Sequence, residues 1–169
     1  VIALGGCSLP ITGDSGTEPG VPSSVTTEDA SPTDKPQPDK GPVKIGQPYV
    51  YDDGLRVTIT STQRGSIPRD SIEGNPGDPR LIITVQIANG TQHNFGTGDA
   101  DVIVSYGKKG DEAEQLYTYD GFNGTILRNR SKSSKFDFYI KDRAGFSDLV
   151  IEVNPDYDHG PAIFQGAAR

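Results

Sequence analysis

The chain has one cysteine in 169 residues and neither methionine nor tryptophan. A lone thiol excludes an internal disulfide, so the hydrophobic core must hold whatever folds. It also argues against zinc, because His93 and His159 are the only histidines and have no partners at a recognisable ligand spacing. No run of about 18 apolar residues occurs, so these residues contain no transmembrane helix. Positive charge is scarce. Sixteen Lys and Arg against 23 Asp and Glu leave a formal charge of -7, whereas a nucleic-acid binder needs a basic surface to neutralise phosphates. Apolar residues make up only 33%, too few for every part of the chain to pack, so a portion is expected to stay unfolded. A chain that begins at Val1 without methionine is also expected to be missing the start of a targeting segment.

Turn formers are abundant instead. Twenty-one Gly and 13 Pro predict many short connections and little long helix.

Residues 1–7 read as the end of a secretory signal: Val1-Ile2-Ala3-Leu4 leads into Gly5-Gly6 and then Cys7. This resembles the lipobox of bacterial lipoproteins, with Leu three positions before the cysteine and small residues between. The resemblance implies a diacylglycerol on the Cys7 thiol, cleavage before Cys7 and attachment to the outer face of the cytoplasmic membrane. The small residues suit a narrow peptidase site.

Residues 8–43 are predicted to be a disordered linker. Pro10, Pro19, Pro22, Pro32, Pro36, Pro38 and Pro42 are spread through Ser, Thr, Gly, Asp and Glu, a composition that cannot offset its backbone entropy by burial. Such a spacer spans about 100 Å in polyproline geometry and roughly 30–35 Å as a coil. Gly13-Asp14-Ser15-Gly16 within it looks like a serine-protease nucleophile segment. A serine nucleophile needs an ordered base and a scaffold that this stretch lacks, so the motif is read as a coincidence.

Residues 44–167 alternate with the period of half-buried strands. Leu55, Val57 and Ile59 share one face, as do Leu81, Ile83, Val85 and Ile87. Val102 and Val104, then Phe136, Phe138 and Ile140, then Leu149, Ile151 and Val153, continue the pattern, and Ala162-Ile163-Phe164 closes it. Tyr49 to Tyr51 and Gln115 to Tyr119 are weaker candidates. The turn pairs Asp53-Gly54, Asn89-Gly90, Asp120-Gly121 and Asn123-Gly124, with Gly107 to Gly110, supply the positive φ of tight turns. About eight short strands without intervening helices predict an all-β, immunoglobulin-like β-sandwich.

Gly46-Gln47-Pro48, the strands at 55–59 and 81–87 followed by Ala88-Asn89-Gly90, Lys135 to Phe138, Leu149 to Val153 and Pro161 to Gly166 resemble a telokin-like, immunoglobulin-like domain. That domain, of unknown function, occurs in lipoproteins of Gram-positive bacteria, particularly actinobacteria. The resemblance implies fold and location and brings no catalytic residues. Asn129-Arg130-Ser131 stands where members often have a Pro-Gly turn.

Chemistry-bearing groups are sparse. Acidic pairs at Asp52-Asp53, Asp99 with Asp101, and Asp156 with Asp158 beside His159 carry calcium-type ligands, but none has EF-hand spacing, and turn formation accounts for them. Asn89-Gly90-Thr91, Asn123-Gly124-Thr125 and Asn129-Arg130-Ser131 match glycosylation acceptors and are read as turns. Tyr117, Tyr119 and Phe122 near a turn, with Arg128, Arg130 and Lys132 after it, form a candidate binding surface. Lys135 extends the basic run. The same aromatics also suit a cap on the core, and the same cations suit a solvated loop. The reading is therefore a non-enzymatic surface lipoprotein without cofactor or metal, partnered by the membrane through its lipid and by an envelope protein or wall polymer. A second reading is a structural or protective envelope lipoprotein, phage exclusion included, that acts by spacing.

Overall fold

The computed structural model describes residues 40–116 and 121–169. Cys7, the tether up to residue 39, Tyr117 and Tyr119 lie outside the described residues. Among the described residues twelve strands follow in order: β1 (Val43–Lys44), β2 (Pro48–Val50), β3 (Leu55–Ser66), β4 (Pro79–Asn89), β5 (Phe95–Gly96), β6 (Asp101–Tyr106), β7 (Asp111–Glu112), β8 (Glu114–Leu116), β9 (Thr125–Ile126), β10 (Ser131–Tyr139), β11 (Leu149–Asn154) and β12 (Ala162–Gly166). A short 3-10 turn, Arg143–Ser147, precedes β11. Eight of these strands have three or more residues, which is the number the alternation predicts.

They form two five-stranded sheets, β1-β12-β11-β6-β7 and β2-β3-β4-β10-β8, with a two-stranded β5-β9 ribbon. All pairings are antiparallel except β1 with β12. Each sheet turns its alternate apolar residues inward, because water is excluded from one face only. Leu55, Val57, Ile59, Leu81, Ile83, Val85 and Ile87 come from one sheet and Val104, Leu149, Ile151, Val153 and Phe164 from the other, each fully buried. Together with Phe136, Phe138 and Phe146 they make one continuous core. The sandwich expected from the sequence is the observed fold. Its outermost strands β1, β2, β7 and β8 have two or three residues each, which keeps little open edge for foreign pairing.

Three features depart from the alternation. In β3 the register slips between Ile59 and Ser61, so Thr60 is an extra residue and Thr62 turns inward to 5% exposure. A bulge of this kind reverses which side chains face the core. Second, β10 begins at Ser131, pairing with Ala88, so the strand expected from Lys135 starts four residues earlier and Lys132 lies within it and not in the loop expected there. Third, the folded domain is longer than residues 44–167. Val43 pairs with Phe164, Lys40 holds Asp52 and the carbonyl of Val50, and Ala168 is buried with its carbonyl bound by Arg64. Backbone pairing and burial carry the domain past both limits.

Replacing Ile83 by Ala is expected to lower unfolding free energy by about 2–5 kcal/mol through lost burial and a residual cavity. Thr58→Ala on the outward face is expected to change it by roughly 0.5 kcal/mol or less. Urea denaturation of the two variants measures both.

Candidate functional site

Several connections come together at one end of the sandwich: the β2–β3 turn, the β4–β5 loop, residues 121–124 before β9, the loop after β9, and the β11–β12 loop. Asn89, the last residue of β4, joins the β4–β5 loop to β9 and to the loop that follows it. Its side chain is 1% exposed, so each of its polar atoms needs a partner within the protein. Nδ2 donates to the carbonyls of His93 (2.8 Å) and Ile126 (2.9 Å). Oδ1 accepts from the amide (3.0 Å) and hydroxyl (2.8 Å) of Thr91. Its backbone N–H donates to Arg130 and its carbonyl accepts from Asn129, both at 2.8 Å.

The neighbouring glycines explain themselves by proximity. A Cβ on Gly90 would lie 2.4 Å from the Gly54 carbonyl oxygen, and one on Gly54 would lie 2.8 Å from that of Gly90. Only bare backbones fit where the β2–β3 turn meets the β4–β5 loop. Gly54 has the positive φ expected of its turn, at 98°. Gly90 is absent from the positive-φ glycines, so its requirement is space and not turn geometry as the sequence suggested.

His159 makes the third link. It sits in the β11–β12 loop with its side chain 17% exposed. Nδ1 lies 2.8 Å from Asp156 Oδ1, and Nε2 lies 3.1 Å from Asp53 Oδ2 on the β2–β3 turn. The turn and the loop belong to opposite sheets. Beneath the imidazole, Tyr51 meets it edge-on at 4.8 Å between centroids and Phe95 at 6.0 Å. The Tyr51 hydroxyl donates to the carbonyl of Gly160 at 2.6 Å. Burial is the largest single influence on His159 and pulls its pKa down, but hydrogen bonds to Asp156 and Asp53 and the charges of both outweigh it, leaving the pKa above its usual 6.5. Burial, followed by the nearby Tyr49, Asp156 and Asp53, pushes the Tyr51 phenol well above its ordinary value.

Around this linked cluster, Tyr157 (88% exposed), Leu127 (58%) and Val50 (41%) present apolar surface to water. Arg128 and Arg130 are exposed in the loop between β9 and β10. Lys132 is half-buried and donates to the carbonyl and side-chain oxygen of Asn123. Phe122 leaves the candidate surface. Its ring is 9% exposed and packs on Phe136 at 5.7 Å, because an aromatic at this turn gains more by capping the core. Two of the acidic clusters read for calcium chemistry have other employment: Asp53 and Asp156 serve His159, and Asp52 pairs with Lys40. Among the described residues no group of three or more His, Cys, Asp or Glu is arranged so that it could hold a metal ion.

Sequence reading missed Tyr157, Leu127 and Val50, since a single apolar residue in a loop has no periodicity to mark it. It also missed the Asp53–His159 contact, whose members are 106 positions apart. The Asp156–His159 spacing was visible, but nothing local says which second acid the ring meets.

No protein-family model matches the sequence, and no curated protein matches it significantly. The solved structure of MPT63, a secreted protein from Mycobacterium tuberculosis, superposes with a TM-score of 0.52 at 13% identity, covering 76% of this chain and 98% of that one. It shares the sandwich fold. An uncharacterized β-sandwich protein from Clostridium difficile 630 aligns with a TM-score of 0.43 at 15% identity, over 78% of this chain and 99% of that one.

Asn89→Ala strips donors from two carbonyls and the acceptor from Thr91. It is expected to destabilise the domain by roughly 1–3 kcal/mol, the cost of leaving buried polar groups unpaired. Thermal and urea unfolding of the variant check this, with Thr91→Ala as a milder companion.

Proposed function

We propose that this chain is a bacterial surface lipoprotein that carries a non-catalytic, telokin-like binding or accessory domain on a flexible tether. One observation carries the binding part of this reading: the loop end of the sandwich is cross-linked by Asn89 and His159 while Tyr157, Leu127, Val50, Arg128 and Arg130 stand exposed on it. Tyr and Arg are enriched at protein interfaces because they combine contact area with hydrogen bonding. A frame that is ordered before binding reduces the entropy lost on association. The location rests on Leu4-Gly5-Gly6-Cys7 and the proline-rich stretch that follows. A secreted protein of the same fold in a mycobacterium agrees with export. Lipid on the Cys7 sulfur would hold the domain at the membrane surface, and the tether would set its reach into the envelope.

Mass spectrometry of the mature N-terminus is expected to find diacylglycerol on Cys7. Cys7→Ser is expected to move the protein from the membrane to the medium. An unmodified thiol on membrane-free native protein would refute the anchor. For the binding role, photo-crosslinking on intact cells from Tyr157 is expected to capture an envelope component, and Arg128→Glu with Arg130→Glu is expected to reduce capture about tenfold or more, the scale of a hot-spot loss above 1 kcal/mol. Equal capture by the charge-reversed protein would exclude this loop end as the contact face.

A further inference from the structure

Both ring nitrogens of His159 face groups that only accept. Asp156 Oδ1 lies at 2.8 Å from Nδ1 and Asp53 Oδ2 at 3.1 Å from Nε2. Neutral imidazole has one N–H and one lone pair, whereas imidazolium has two N–H groups. Only the imidazolium donates to both carboxylates at once. We propose that His159 is a proton-operated clasp: protonated, it ties the β2–β3 turn to the β11–β12 loop across the two sheets, and neutral, it releases Asp53 while keeping Asp156.

The two contacts are unequal, and that decides which one opens. Asp156 Oδ1 also accepts from the amides of Asp158 (3.0 Å) and His159 (2.8 Å), all within one loop. The remaining proton of the neutral ring therefore stays on Nδ1, beside a carboxylate already fixed by its own backbone. Asp53 is 43% exposed, so its Oδ2 can exchange the ring for water, while Oδ1 keeps the amide of Leu55 at 3.0 Å. A bare lone pair on Nε2 facing that oxygen is repulsive.

The charged and titratable groups around the ring are Asp156 from its own loop and Asp53 and Tyr51 from the β2–β3 turn. Tyr49 stands behind Tyr51 at 5.0 Å between rings. β5 contributes only the uncharged Phe95. Asp52, beside Asp53, is occupied by Lys40. The Tyr51 hydroxyl on Gly160 is a second tie between the same two segments, and its high pKa keeps it protonated throughout. Release of Asp53 therefore loosens the loop end without separating it, and reduces the cover over Tyr51 and Phe95, now 2% and 6% exposed.

The sign follows from the raised pKa. A histidine that titrates higher folded than unfolded contributes stability below about 6.5 and loses it as pH rises through the folded value. The clasp is thus closed in mild acid and opens toward alkaline pH.

NMR of the full chain from pH 5 to 9 tests this without reference to any partner. His159 is expected to titrate above 6.5, with the amide signals of Asp53 and Gly54 moving through the same midpoint. Asp53→Asn is expected to lower the midpoint, and His159→Gln to abolish the pH response of the Asp53 and Gly54 signals. A His159 midpoint at or below 6.5, or Asp53 and Gly54 signals indifferent to it, would overturn the clasp.

Discussion

A primary amide buried to 1% exposure must satisfy two hydrogens and an oxygen inside the protein, and at the end of β4 the partners lie on different loops. Asn89 thereby sets how the β4–β5 loop and the segment between β9 and β10 lie on the sandwich. Its backbone adds bonds to Asn129 and Arg130 on the way into β10. Because the amide is dry, each bond is strong and each loss is costly. Three of the exposed residues of this end, Leu127, Arg128 and Arg130, lie in the short segment between Ile126 and β10, so their positions depend on that buried side chain.

Two further contacts extend the constraint to the remaining connections. The backbones of Gly54 and Gly90 touch where no side chain fits, and His159 reaches from the opposite sheet to Asp53. Packing, a neutral amide and a titratable ring act on neighbouring loops. Of the three, only the ring responds to protons. In the proposed clasp, pH acts on the edge that His159 closes, while the Asn89 and Gly54–Gly90 contacts involve no group that titrates.

The strands were legible because alternation is a local signal. Leu55, Val57 and Ile59 announced one face, as did Leu81 to Ile87, and both faces are buried as read. Where a strand carried no such signal the reading stopped short. Ser131 to Ser134 are polar, yet they pair with β4 because its backbone needs partners there. The bulge at Thr60 was hidden for the same reason, since a threonine looks alike on either face. For the site, Phe122 was read both as surface and as core cap, and only packing on Phe136 decides it. Asn89 looked like the start of a two-residue turn, while its role as a buried junction depends on His93 and on Ile126, 37 positions away. Contacts at that separation leave no mark in the local pattern.

Backbone order parameters test the central claim that this loop end is fixed by Asn89 before any partner arrives. The amides of Thr91, Asn129 and Arg130 are expected near 0.85, as in the strands, and to fall below about 0.6 in Asn89→Ala. Values below about 0.6 in the unaltered protein would contradict a preformed surface.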